Sequence, residues 1–144
     1  MKKVLIFAIV LLGIVLVMPK GYCQGLTDRE WQIYNEWEAI ELLMPDNISK
    51  EAYQLEGQKF MAKYGLTKET SDDIWNRVDD IPLTDREWDI SYEIDDRAYE
   101  KGGDKYSKEN EIRACREVAS KYGISFAEAC GIWERSWDWW IGGR

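Results

Sequence analysis

Apolar residues recur along this chain at intervals of three and four positions. This spacing is typical of one buried face of an α-helix. No stretch alternates between apolar and polar residues for long, as a half-buried strand would. The pattern therefore predicts an all-α protein. The two clearest series are Ile33, Trp37, Ile40 and Met44, then Ile112, Cys115, Ala119 and Tyr122.

Six helices are predicted once the start and stop signals are added to this periodicity. Pro45 and the Gly102-Gly103 pair end two of them, and Pro82 separates the third from the fourth. Gly65 and Gly123 suit the left-handed position that closes a helix. The predicted helices cover roughly residues 28–44, 50–64, 68–79, 85–101, 108–122 and 126–140.

The two halves of the chain share blocks of sequence. Leu-Thr-Asp-Arg-Glu-Trp occupies 26–31 and again 83–88, and Lys-Tyr-Gly occupies 63–65 and again 121–123. A fixed period of this length marks a repeated supersecondary unit. We therefore predict a tandem duplication of a three-helix unit of about 57 residues, with the copies in 24–81 and 82–144 packed as one small domain. Four tryptophans match between the copies and are expected to form their shared seam: Trp31, Trp75, Trp88 and Trp133.

The repeated six-residue block reads as a helix-start signal. Thr27 can cap the first turn while Glu30 reaches back to the amide of the cap residue, and Thr84 with Glu87 repeats this capping box. The flanking leucine and tryptophan of each block occupy the positions of a hydrophobic staple. Ser125 and Glu128 form a third predicted capping box.

The N-terminus resembles an export signal. Lys2 and Lys3 precede an uncharged apolar run, residues 4–18, which ends before Pro19. A signal peptide has these parts, whereas a membrane-spanning helix needs about 20 apolar residues. We expect residues 1–23 to be a signal peptide and the protein to be periplasmic or secreted. The alternative is an uncleaved anchor through residues 4–18, and only then does the chain attach to a membrane.

Charge excludes one class of partner. Removal of residues 1–23 takes away three lysines and no acid, which leaves 16 basic against 27 acidic side chains, a net charge of −11. A nucleic-acid-binding protein needs a basic face. The Lys-Tyr-Gly-Ile-Ser segment at 121–125 resembles the turn of helix-turn-helix DNA-binding proteins, but the following helix begins Phe126-Ala127-Glu128. We read this as a shared way of turning between helices and expect no nucleic-acid partner.

The cysteines fit an exported protein. Once Cys23 leaves with the signal peptide, Cys115 and Cys130 remain as an even pair. They lie eight residues before and seven residues after Gly123, so a helical hairpin that turns at this glycine would bring them level. The sequence therefore predicts a disulfide between Cys115 and Cys130.

Tryptophan is the one compositional excess, with eight in the chain. Four lie near the C-terminus, and the helical spacing places Trp133, Trp137 and Trp140 on one face while Trp139 faces away. Aromatic residues at this spacing usually pack in a core. Any that are exposed would form a binding surface for a protein, a glycan or a membrane interface.

Enzymatic chemistry finds little support. The chain has no histidine, which removes imidazole catalysis and His-ligated metals, and no spacing typical of a metal site occurs. We expect no enzyme, no cofactor and no metal. The function predicted is a non-catalytic helical repeat protein that binds a protein partner in the cell envelope. The alternatives are a wall-glycan or carbohydrate-binding module that uses exposed tryptophans, and a weak carboxylate-dependent hydrolase.

Overall fold

The computed structural model describes residues 25–100 and 107–142, with the side chains of residues 100 and 139–142 left outside that description. The predicted signal peptide, residues 1–23, also lies outside it. The described chain is all-helical, which confirms the predicted class. The helices are α1 (Asp28–Leu43), α2 (Lys50–Tyr64), α3 (Lys68–Asp79), α4 (Asp85–Glu100), α5 (Lys108–Tyr122) and α6 (Phe126–Gly142).

All six helices begin where they are predicted to begin, and the ends of α1, α2, α3 and α5 agree with the prediction to within one residue, because local signals define them. Thr27 accepts a bond from the Glu30 amide while the Glu30 carboxylate accepts one from the Thr27 amide at 2.7 Å, and Thr84 with Glu87 does the same. Ser125 accepts a bond from the Glu128 amide at 3.0 Å, which is one half of the predicted third box.

The helix ends at Gly65 and Gly123 are also as predicted. Both glycines are left-handed, with φ of 66° and 67°. This conformation lets the next amide turn back to the helix, so Leu66 donates to the Met61 carbonyl at 2.9 Å and Ile124 donates to the Ala119 carbonyl at 3.1 Å. No described helix is both long enough and apolar enough to cross a membrane.

The six-residue block does more than start helices. Arg29 donates to the Tyr64 carbonyl at 3.2 Å, and the matched Arg86 donates to the Tyr122 carbonyl at 3.3 Å. Each block therefore also ties the start of one helix to the end of the next. Further matched ion pairs join the helices within each half: Arg77 with Glu30, Arg135 with Glu87, Lys63 with Glu36 and Lys121 with Glu93.

The apolar residues form two clusters instead of one tryptophan seam. Trp31 and Trp75 pack in a cluster built from the N-terminal half, while Trp88 and Trp133 pack in a cluster of C-terminal residues that also includes Ala39 and Leu42 of α1. The prediction of a shared seam was therefore wrong. The C-terminal cluster is rich in small residues, which let α4, α5 and α6 approach closely. Aromatic rings fill the N-terminal cluster and hold its helices further apart.

The close contact between the halves is made by α1 and α6, which is the most extensive helix pair in the described chain. Gly131 of α6 faces Asn35 of α1. A Cβ atom at Gly131 would lie 1.9 Å from Asn35 Oδ1 and 3.3 Å from Asn35 Cα. The second distance involves backbone, so rotation of the Asn35 side chain alone cannot make room. A side chain at position 131 would therefore require the Asn35 side chain to move and the two helices to shift by a few tenths of an ångström.

We expect Gly131→Ala to lower the free energy of unfolding by about 1–3 kcal/mol, the usual cost of overpacking. Gly57→Ala is the matched control, since a Cβ atom there meets only Trp37 at 3.7 Å. That variant should be neutral or more stable by up to about 1 kcal/mol, because alanine favours helix. Urea denaturation measures both. Equal effects in the two variants would contradict the proposed close contact.

Candidate binding cavity

An acidic cavity lies between the C-terminal half of α1, the start of α5 and the C-terminal half of α6. Its volume is about 840 Å³, which is within the range of small-molecule and peptide-side-chain sites. Lys108 is its one basic residue and Trp133 and Trp137 supply its aromatic wall. Six carboxylate side chains line it: Glu38, Glu41, Asp46, Glu111, Glu134 and Asp138.

Glu38 is the carboxylate of this cavity whose pKa is raised to about 8. It is only 8% exposed. Burial, together with the negative charges of Glu41 and Glu134, raises the pKa of Glu38 to about 8. At neutral pH this carboxyl is therefore mostly protonated, and any cation that enters the cavity would favour its ionised form.

Glu111 enters the cavity from α5. It is also 8% exposed, and the Trp133 indole Nε1 donates to its Oε1 at 2.6 Å. Lys108, one turn earlier, donates to the Met44 carbonyl at 2.5 Å and pairs with Asp46 at 3.1 Å. These bonds join the start of α5 to the end of α1 and hold the Lys108 side chain at the rim of the cavity.

Glu134 and Asp138 lie one turn apart on α6. The Glu134 side chain reaches solvent, yet partial desolvation of its carboxyl and the nearby Asp138 and Glu111 charges raise its pKa. A cation in the cavity would relieve the repulsion that helps to raise the pKa of Glu38 and Glu134, so it would be attracted strongly. The electrostatic character of the cavity is thus that of a cation site.

Of the four tryptophans predicted as a possible binding surface, Trp133 and Trp137 line this cavity. Trp133 is 3% exposed, so it belongs to the core and contributes one edge to the wall. Trp137 is half-buried and packs edge-on against Trp133, with 5.7 Å between ring centroids. The side chains of Trp139 and Trp140 lie outside the described residues.

Cys115 and Cys130 are brought together as predicted but are free thiols in this structure. They are 0% and 2% exposed. The hydrogen bond that the Cys130 thiol shares with Cys115 and the burial of the site raise the pKa of Cys130, so this thiol is protonated in the folded protein. The predicted disulfide is therefore not present here, although the hairpin places the two cysteines in contact.

The carboxylates of the cavity were not predicted as a site from the sequence. They are spread over residues 38 to 138, and no short motif connects them. The one sequence feature that could have indicated a buried carboxylate is Glu38, which lies next to Trp37 on the apolar face of α1. Among the described residues, no group of three cysteines or carboxylates is placed to hold a metal ion.

Glu38→Gln tests the buried carboxyl. Because its folded-state pKa of about 8 is above the ordinary 4.5, the protonated form stabilises the fold, and this contribution is lost as the pH rises between those values. Glu38→Gln should match the original protein near pH 4.5 and exceed its free energy of unfolding by about 2–4 kcal/mol at pH 8. Denaturation at several pH values measures this, with the exposed Glu56→Gln as control. A difference independent of pH would contradict the buried ionisation.

Comparisons with protein-family models, curated proteins and solved structures give no match for this chain. Its function is therefore inferred from the geometry and charge of its own residues.

Proposed function

We propose that this protein is a non-catalytic binding protein of the cell envelope, and that it captures a cationic segment of a protein partner in the acidic cavity. The observation that carries this proposal is the set of six carboxylates and one lysine around an aromatic wall. A lysine or arginine side chain combines an apolar stem with a charged end. The indole of Trp137 can pack against the stem while the carboxylates meet the charge.

The distribution of matched residues supports a role for this cavity. Residues shared between the two halves cap helices and join their ends. Three of the carboxylates that line the cavity have a counterpart that is not acidic: Glu41 corresponds to Ala98, Glu111 to Tyr53 and Glu134 to Asn76. The acidic charge is therefore denser here than at the matched positions of the other half, although Glu38 and Asp138 correspond to acids, and this density supports a binding site.

The two alternatives fit the geometry less well. A glycan-binding module that used the C-terminal tryptophans would need exposed rings, and Trp133 is buried. A carboxylate-dependent hydrolase would need a protonated acid that reaches the substrate, and Glu38, whose pKa is raised to about 8, is only 8% exposed. For these reasons, both alternative functions are less well supported than the binding of a cationic protein segment.

A synthetic peptide of alternating lysine and leucine should bind the protein, and isothermal titration calorimetry can measure its affinity. Each carboxylate near a bound ammonium contributes about 1 kcal/mol in a solvated site. The double variant Glu134→Gln/Asp138→Asn should therefore weaken binding about tenfold or more. Added salt should weaken binding further by screening.

The control is Glu56→Gln/Asp72→Asn, which makes the same change in net charge at two exposed positions outside the cavity. This variant should change the affinity less than about twofold, since exposed charges at a distance are screened. Equal losses in the two double variants would show that the peptide responds only to net charge and would reject the cavity as the site.

We also propose that the chain is an exported tandem duplication whose Cys115 and Cys130 form a disulfide in an oxidising compartment. The export signal in residues 1–23 and the recurrence of matched contacts in both halves support this. Burial of both thiols in contact supports the bond, because no large movement is needed to form it. Closing this loop would stabilise the fold by about 3 kcal/mol.

Intact-mass spectrometry of protein recovered from an exporting host tests these statements. The mature chain should lack residues 1–23 and two hydrogens. Protein made in a reducing cytosol without the signal should keep both hydrogens and unfold at a lower denaturant concentration. A membrane-bound chain of full mass would instead support the anchor alternative.

A further inference from the structure

A second cavity lies on the opposite side of the α1–α6 contact. Its volume is about 660 Å³, and it is lined by the N-terminal halves of α1 and α6 with Glu87 of α4. None of its residues lines the acidic cavity described above. Its wall combines one arginine, Arg135, with the amide side chains of Gln32 and Asn35 and the hydroxyl of Ser125.

Arg135 is the unusual residue of this site. It is 4% exposed, its Nη2 donates to Glu87, and its guanidinium lies 4.6 Å from the centroid of the Trp31 ring. Its Nε and Nη1 are buried and have no acceptor among the described residues. A buried donor without a partner costs about 1–3 kcal/mol, so such groups usually meet a protein atom, an ordered water or a ligand.

The matched Arg77 shows why these donors are unpaired. Arg77 Nε donates to Asp73 at 2.9 Å, one turn earlier on the same helix, and its Nη2 pairs with Glu30. The residue one turn before Arg135 is Gly131, which has no side chain to accept a bond. The glycine that permits the close contact of α1 and α6 therefore leaves Arg135 with free donors.

The charges around the cavity indicate which class of ligand it can bind. Four carboxylates, Asp28, Glu36, Glu87 and Glu128, line it beside the single guanidinium, so a free anion would be repelled. A simple cation cannot accept hydrogen bonds, so it would leave the buried Arg135 donors unpaired. Its positive charge would also be repelled by the guanidinium. A neutral ligand that carries hydroxyl groups can accept bonds from the guanidinium and donate bonds to the carboxylates and amides.

We infer that this second cavity binds a neutral polyhydroxylated ligand, a saccharide, through hydrogen bonds to Arg135, Gln32 and Asn35. Its volume suits one or two sugar rings, since small-ligand sites span about 300–1,000 Å³. This site is distinct from the acidic cavity, so either proposal can fail alone.

NMR of the Arg135 Nε–H group tests the inference in the full mature chain. The signal is assigned as the arginine Nε–H resonance that disappears in Arg135→Lys, with Arg77→Lys as the matched control that removes a different one. Chitotetraose and cellotetraose serve as neutral probes, and inorganic phosphate and free lysine as charged ones. Either neutral probe should shift the Arg135 signal saturably, and the charged probes should not.

Gln32→Ala should weaken binding of the active neutral probe roughly fivefold, the value of one hydrogen bond. Gln54→Ala, the same change at an exposed position of α2, should leave the affinity unchanged. The inference is overturned if no neutral probe shifts the Arg135 signal, if phosphate or lysine shifts it more strongly, or if both glutamine variants behave alike. The dispersion of the backbone amide signals in the same spectra shows directly whether each variant is folded.

Discussion

The close contact of α1 with α6 is the constraint on which the rest of this molecule depends. Helix axes approach most closely where a small residue lies between them, and Gly131 supplies that residue opposite Asn35. This contact joins the N-terminal and C-terminal helices. It also divides the space beside them, since the C-terminal halves of α1 and α6 line the acidic cavity and their N-terminal halves line the second one.

The same contact explains two features that lower the stability of the fold. It buries Glu38 among other acids, where desolvation favours the protonated form. It also leaves two donors of Arg135 without an acceptor, because a side chain at position 131 would require the Asn35 side chain and the two helices to shift. Unpaired donors and perturbed carboxyl groups are expensive in a core. Their location in the walls of two cavities is the physical basis for the binding roles proposed for both.

The matched residues and the unmatched residues have different roles. Matched positions hold the helices in place, as when Arg29 and Arg86 reach the carbonyls that end the next helix. Unmatched positions, such as Glu41 and Gln32, distinguish the two cavities from the corresponding surfaces of the other half, although Trp133 and Arg135 in the cavity walls are matched. The change from Asp73 to Gly131 at one matched position removes an acceptor and admits a neighbouring helix at the same time. A single difference between similar halves thus changes both packing and chemistry.

The sequence alone determined the six helices, because caps, left-handed glycines and apolar periodicity act within a few residues of each other. It also indicated that Cys115 and Cys130 would meet, since one hairpin turning at Gly123 is enough to bring them level. It could not place the four matched tryptophans or assemble the acidic cavity. Those depend on which helices cross and how closely, and residues 38 and 134 become neighbours only through the contact at Gly131. Local signals specify elements, whereas the packing of side chains between distant elements decides the sites.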